Sequence, residues 1–118
     1  MPAFCHALKY GWKATIDGDG KIQRDYVYVL DVVNELINIG ESSIKGQTDI
    51  GYGIPVSTKE LYSILCKTFK KKQNVSYGPP RKGDIKYKCS KYKIEEPKYG
   101  FKEGARRTVL WALQEKGF

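Results

Sequence analysis

Two short segments of this chain each combine an arginine with an aspartate, and in the second a glycine lies between them. They are Arg24-Asp25-Tyr26 and Arg81-Lys82-Gly83-Asp84. A guanidinium group is a planar fork of donors that matches phosphate oxygens bidentately, so two arginines could hold the two phosphates of a diphosphate. Asp84 could accept hydrogen bonds from sugar hydroxyls. Taken alone, the residues equally allow surface ion pairs that contribute only about 0–1 kcal/mol each.

The composition limits which classes of protein this chain can belong to. Its 118 residues, 41% of them hydrophobic, predict one globular domain over residues 1–118. The sequence has no apolar run of the roughly 20 residues that span a membrane, and no signal segment at its start, so we expect a cytoplasmic protein. Three widely spaced cysteines and one histidine favour neither a disulfide framework nor a metal site.

The net charge of +8 predicts attraction to a polyanion of some kind. Nucleic acid, an acidic membrane and a phosphorylated small ligand all fit this charge. Seventeen of the 21 basic residues are lysines scattered over nearly every segment, which is typical of a solvated surface. A nucleic-acid-binding module is therefore a possible but less favoured function.

Alternating strand and helix patterns along the chain predict an α/β fold. Strands are expected at 14–17, 24–29 and 75–77, with a further strand within 44–50, and the first two are joined by Gly18-Asp19-Gly20. Helices are expected at 2–10, 31–39, 58–69 and 103–116. Asp31 is expected to cap the second helix, which would bury Val32, Val33, Leu36 and Ile37. Ser57 and Glu60 predict a capping box for the third.

Five segments, in order, resemble motifs of one protein family. They are Met1-Pro2-Ala3-Phe4; Gly18-Asp19-Gly20 with Arg24-Asp25-Tyr26 through Val33; Ile50-Gly51-Tyr52-Gly53 with Val56-Ser57 and Glu60-Leu61; Pro80-Arg81-Lys82-Gly83-Asp84-Ile85; and Gly100-Phe101 with Glu103-Gly104 and Arg106-Arg107-Thr108-Val109. Together they resemble the carboxyl-terminal region of the extended short-chain dehydrogenase/reductases, within the NAD-dependent epimerase/dehydratase family. The UDP-glucose 4-epimerases are the most similar members.

The resemblance implies a small substrate-binding domain that binds a nucleotide sugar such as a UDP-hexose. It implies that Arg24 and Arg81 contact the diphosphate, that Tyr26 lines the same site and that Asp84 bonds the ribose. It places NAD and the catalytic Ser and Tyr-x-x-x-Lys groups in a separate Rossmann domain, so no catalytic residue and no cofactor are expected within residues 1–118. That domain, or a separate chain supplying it, is the expected partner, and a homo-oligomer is possible.

A dehydratase or decarboxylase that acts on another nucleotide sugar is the close alternative. Within the family, dTDP-glucose 4,6-dehydratases usually carry a histidine between the glycine and the aspartate of the fourth motif, whereas Gly83 and Asp84 are adjacent. The family commonly has an aromatic residue near the base at the position of Asp17, which leaves the identity of the base open. Tyr87 and Lys91 match Tyr-x-x-x-Lys in spacing, but they lie in a segment predicted to be extended.

Overall fold

The computed structural model describes residues 1–117, and in that part of the chain four helices alternate with five short strands. The order is α1 (Pro2–Tyr10), β1 (Ala14–Asp17), β2 (Gln23–Asp25), α2 (Val29–Gly40), β3 (Pro55–Ser57), α3 (Thr58–Phe69), β4 (Val75–Gly78), β5 (Tyr87–Lys88) and α4 (Gly100–Gln114). The α/β prediction is confirmed.

The strands form two small sheets. Strand β1 pairs with β4 in parallel, so that Asp17 lies opposite Gly78. Strand β2 lies between β3, which is antiparallel to it, and β5, which is parallel. As expected, a turn that contains Gly18 and Gly20 connects β1 to β2. The two strands nevertheless lie in different sheets and pair with different partners. The turn at 18–20 therefore connects the two sheets.

The core lies where α1, α3 and α4 meet strand β1. Leu61 and Leu65 of α3 and Val109 of α4 are completely buried there. Helix α3 begins at the predicted capping box, because Ser57 Oγ accepts a hydrogen bond from the Glu60 N–H and Glu60 accepts one from the Ser57 N–H. The segment 81–84 follows β4, which pairs with the core strand β1, whereas Arg24 lies within β2, which pairs with β3 and β5.

Helix α2 has the opposite burial from the one we expected. Its outward face carries the apolar side chains Val29, Leu30, Val33, Leu36 and Ile37, while Asp31 and Glu35 are buried. The helix begins two residues early, with Tyr28 at the N-cap position, so Asp31 lies in the first turn and does not cap it. Periodicity located the apolar face correctly, but it could not tell which side of the helix meets the core.

Three further expectations differ from the structure. Strand β2 ends at Asp25 and does not run to residue 29, and residues 41–54 contain no strand. A strand needs a paired neighbour to satisfy its backbone groups, and none of the strand pairs in the described chain includes this segment. Helix α4 starts three residues before the expected position, at Gly100, and Leu113 near its end is exposed.

Candidate functional site

A cavity of about 780 Å³ opens between the turn after β1 and the loop after β4. Its walls include Tyr77, Pro80, Arg81 and Asp84 on one side and the 18–22 segment on the other. The two sides are in contact at Gly18, where an added Cβ would lie 3.5 Å from Pro80 Cβ. The parallel pairing of β1 with β4 brings the two loops together, because both leave the same end of the sheet.

Arg24 anchors the wall of this cavity that contains Asp84. Its guanidinium donates to the backbone oxygens of Gln23 and Ile85 and to Asp84 Oδ1, the last at 2.7 Å. These bonds fasten the loop after Gly83 to strand β2. Arg24 and Asp84, 60 residues apart in sequence, are therefore brought together as an ion pair at the edge of the cavity.

Arg81 has a different partner. Its Nε lies 2.5 Å from Asp17 Oδ2, and 76% of the arginine side chain remains exposed to solvent. Such an exposed pair contributes little to stability, so a ligand can displace Asp17 at small cost. Asp84 uses Oδ1 for Arg24, and within residues 1–117 no hydrogen bond occupies its Oδ2. The cavity is thus lined by the exposed guanidinium of Arg81 and the carboxylate of Asp84. Asp19, Lys21 and Lys86 add further charged groups to its walls.

Known proteins with related sequences are nucleotide-sugar enzymes, although no family model matches the chain. It is 36% identical over 84 residues to UDP-glucose 4-epimerase of Mycolicibacterium smegmatis, a match covering 70% of this chain and 27% of the relative. It is 27% identical to human dTDP-D-glucose 4,6-dehydratase over 94% of this chain and 35% of the relative.

The fold is also similar to that of nucleotide-sugar enzymes. The crystal structure of UDP-glucose 4-epimerase from Thermotoga maritima with UDP-glucose matches with a TM-score of 0.84 and 32% identity, over 92% of this chain and 37% of that one. This chain belongs to the NAD-dependent epimerase/dehydratase family. It spans 27 to 35% of the length of the curated relatives just named.

The four residues that the family resemblance selected do not all lie together. Arg81 and Asp84 line the cavity, with Arg24 bonded to Asp84. Tyr26, which we expected in the same site, lies instead in a smaller cavity of about 270 Å³ between the start of α2 and helix α4. Burial there raises the pKa of its phenol despite a hydrogen bond with Thr58. Strand β2 ends at Asp25, so the chain has already left the sheet at residue 26. The role of Tyr26 in ligand binding stays a prediction.

The glycine turn at Gly51 and Gly53 does not fit the phosphate-binding turn that NAD requires in this family. The N–H groups of Tyr52 and Gly53 both donate to the carboxylate of Asp25, which also accepts from the N–H of Ser90. A pyrophosphate would need those same donors. Strand β3 follows the turn, where a dinucleotide-binding turn opens a helix.

The Tyr87–Lys91 pair does not fit the family's catalytic pair either. Tyr87 lies in strand β5, and residues 89–91 are not helical. The two side chains therefore lack the shared helical face that would bring them together.

Asp31 has a structural position that the sequence did not indicate. Its carboxylate is 99% buried and accepts hydrogen bonds from the Tyr52 hydroxyl and from the N–H groups of Tyr99 and Gly100, where α4 begins. Burial alone would raise the pKa of Asp31, but these hydrogen bonds lower it overall. Burial and the nearby carboxylate raise the pKa of Tyr52. Asp31 therefore caps a helix distant in sequence and not its own.

Sequence reasoning missed Tyr77, which lines the cavity, and Asp17, which forms an ion pair with Arg81. In the sequence, Asp17 was noted only because the family commonly has an aromatic residue at its position. Its contact with Arg81 depends on the register of β1 against β4. Tyr77 was treated only as the end of a strand, although it lines the cavity and is half exposed. A half-exposed aromatic beside an arginine-containing turn was the available signal.

No helix within the described part of the chain is long and apolar enough to cross a membrane.

Proposed function

We propose that this chain binds the diphosphate of a nucleotide sugar, a UDP-hexose, as the carboxyl-terminal part of an NAD-dependent 4-epimerase. The observation that carries the proposal is the exposed Arg81 guanidinium in the same cavity as Asp84. Arg81 would bind a phosphate, and Asp84 Oδ2 would accept from the ribose. Arg24 would hold Asp84 in place and add positive charge. The Thermotoga maritima relative, solved with UDP-glucose, supports this choice of ligand.

Replacing Arg81 with alanine is expected to weaken UDP binding about tenfold or more. The variant removes a charge-assisted hydrogen bond, which contributes roughly 1.5–3 kcal/mol. Isothermal titration with UDP and UDP-glucose measures the change. The matched control is Arg106→Ala, because Arg106 is also an exposed arginine in an ion pair but lies on α4, outside the cavity. Equal UDP affinity in Arg81→Ala and the unchanged chain would contradict the proposal.

In the complete enzyme we propose that NAD and the catalytic groups belong to the part of the family fold that this chain does not span. Hydride would leave C4 of the sugar and return to its other face, while the residues described above hold the nucleotide. The Asp25-bonded turn at 51–53 and the extended Tyr87 segment both favour this division of labour. No residue between 1 and 117 is proposed as catalytic.

We further propose that the apolar face of α2, formed by Val29, Leu30, Val33, Leu36 and Ile37, packs against that NAD-binding part. Two observations support this occupant. The helix turns its carboxylates inward and its aliphatic side chains outward, a pattern that leaves the face unpartnered in the structure. The relatives are about three times as long as the matched segment, so their chains contain enough further structure to cover it.

Changing Leu36, which is 56% exposed, to glutamate is expected to abolish this association, because a carboxylate buried without a partner is strongly unfavourable. The chain would be coexpressed with the portion of Thermotoga maritima UDP-glucose 4-epimerase that the match leaves uncovered, and copurification measured. Asn34→Glu is the control, since Asn34 is an exposed polar residue of the same helix. Copurification that survives Leu36→Glu, or a homodimer formed through this face, would contradict the docking proposal.

A dehydratase remains the second candidate, and one observation favours it. The match to human dTDP-D-glucose 4,6-dehydratase extends over 94% of this chain, more than the 70% matched by the Mycolicibacterium smegmatis epimerase. Conversion of UDP-glucose to UDP-galactose by this chain together with the NAD-binding part of its own complete enzyme would support the epimerase. Formation of a 4-keto-6-deoxy sugar would support the dehydratase.

A further inference from the structure

The cavity contains an aromatic side chain that no role described so far uses. Tyr77 lies on β4 directly opposite Ile16 in the parallel pair, so both side chains point to the same side of the sheet. Ile16 is 1% exposed, whereas Tyr77 is 49% exposed and lines the cavity. The shorter side chain fills the core, and the longer ring reaches beyond it to the ligand-accessible surface.

The ring of Tyr77 is also held in position from behind. An added Cβ at Gly20 would lie 3.5 Å from Tyr77 Cε1 and 3.3 Å from Ile16 Cγ2. Gly20 has a φ of 73°, which favours glycine, so the turn can pass close to the ring. One edge of the ring is thus packed on the turn, and about half of the side chain faces the cavity.

The position where the family commonly has an aromatic residue carries a carboxylate in this chain. Asp17 is bonded to Arg81 and cannot stack on a base. Tyr77 is on the neighbouring strand, one residue before the Gly78 that lies opposite Asp17. The cavity therefore retains an aromatic surface, although the residue that supplies it is on β4 and not on β1.

We propose that Tyr77 stacks on the nucleotide base and so determines the affinity of this site for nucleotides over plain diphosphates. The inference rests on the proposed diphosphate site. An aromatic ring, a guanidinium and a carboxylate line one cavity, and they suit the base, a phosphate and the ribose hydroxyls respectively. Because every base has a π face, stacking tolerates different bases, and we expect UDP, dTDP and GDP to bind with similar affinity.

The test compares UDP, dTDP, GDP and inorganic pyrophosphate by isothermal titration against the unchanged chain and three variants. Tyr77→Leu is expected to weaken binding of all three nucleotides about fivefold to a hundredfold and to leave pyrophosphate binding unchanged. Tyr77→Phe should retain nucleotide binding, because the ring is preserved. Tyr87→Leu is the matched control, since Tyr87 is an exposed tyrosine on β5 that does not line the cavity. Thermal unfolding measurements check that each variant is folded.

The outcomes separate this inference from the proposed function. Arg81-dependent UDP binding that is unchanged in Tyr77→Leu would overturn the stacking role and leave the diphosphate site intact. Equal weakening of UDP and pyrophosphate in Tyr77→Leu would also overturn it, because the residue would then act through the shape of the phosphate site. Failure of the unchanged chain to bind any nucleotide would contradict both proposals.

Discussion

Replacing Asp31 with asparagine is expected to lower the free energy of unfolding by about 3 kcal/mol. The buried carboxylate accepts bonds from Tyr52, Tyr99 and Gly100. Hydrogen bonds to a charged group contribute roughly 1.5–3 kcal/mol each, and an amide retains only one acceptor atom for donors that meet two oxygens. Urea unfolding followed by circular dichroism measures the loss.

The same substitution should change how stability depends on pH. The folded pKa of Asp31 is lowered from 3.8, so its contribution is complete above about pH 5 and is lost as the pH falls through the folded value. The free energy of unfolding of Asp31→Asn should therefore decline less steeply in acid than that of the unchanged chain. Asp49→Asn is the control, because Asp49 is an exposed loop aspartate. An unfolding free energy within about 0.5 kcal/mol of the unchanged chain would show that the cap of α4 is unimportant.

A second large effect is expected from Gly51→Ala, at about 2–3 kcal/mol of destabilisation. A Cβ at this position would lie 2.3 Å from Ser90 Cβ and 2.4 Å from Asp25 Oδ2. Overpacking of this kind costs roughly 1–3 kcal/mol, and moving Asp25 also weakens its bonds to Tyr52 and Gly53. Thermal unfolding of the purified variant measures the change.

Gly40→Ala is the matched control for this prediction. An added Cβ at Gly40 meets nothing within 4 Å, and the residue ends helix α2 without a left-handed φ. Alanine should be neutral there or stabilise by up to about 1 kcal/mol. Equal stability of Gly51→Ala and Gly40→Ala would contradict the close packing of the 51–53 turn against Asp25.

Local signals predicted most of the elements, and the limits of those signals explain the errors. The capping box of Ser57 and Glu60 and the helix at 2–10 depend on neighbours in sequence, and both are confirmed. The apolar stripe of α2 was identified correctly but assigned to the core. Which side of a helix is buried depends on elements far away in the chain, and the spacing of apolar residues within one helix does not report them.

In the candidate site, too, local signals identified residues but not their contacts with distant parts of the chain. The segments containing Arg24, Arg81 and Asp84 could be selected from residue types, since guanidinium groups suit phosphates and a carboxylate suits sugar hydroxyls. The pairing of Arg24 with Asp84 and of Arg81 with Asp17 could not be selected, because both depend on strand register. The separate position of Tyr26 depends on where strand β2 ends, and Tyr77 was overlooked because no motif marks it.

The capping of α4 by Asp31 also fixes an order of events when the chain is made. Tyr99 and Gly100 lie 68 and 69 residues after the carboxylate that they contact. While a ribosome synthesises the intervening segment, Asp31 has no access to these two donors and is better left hydrated than buried. The first two turns of α2 therefore cannot reach their final packing until helix α4 emerges from the ribosome. The contact between α2 and the start of α4 forms late in synthesis.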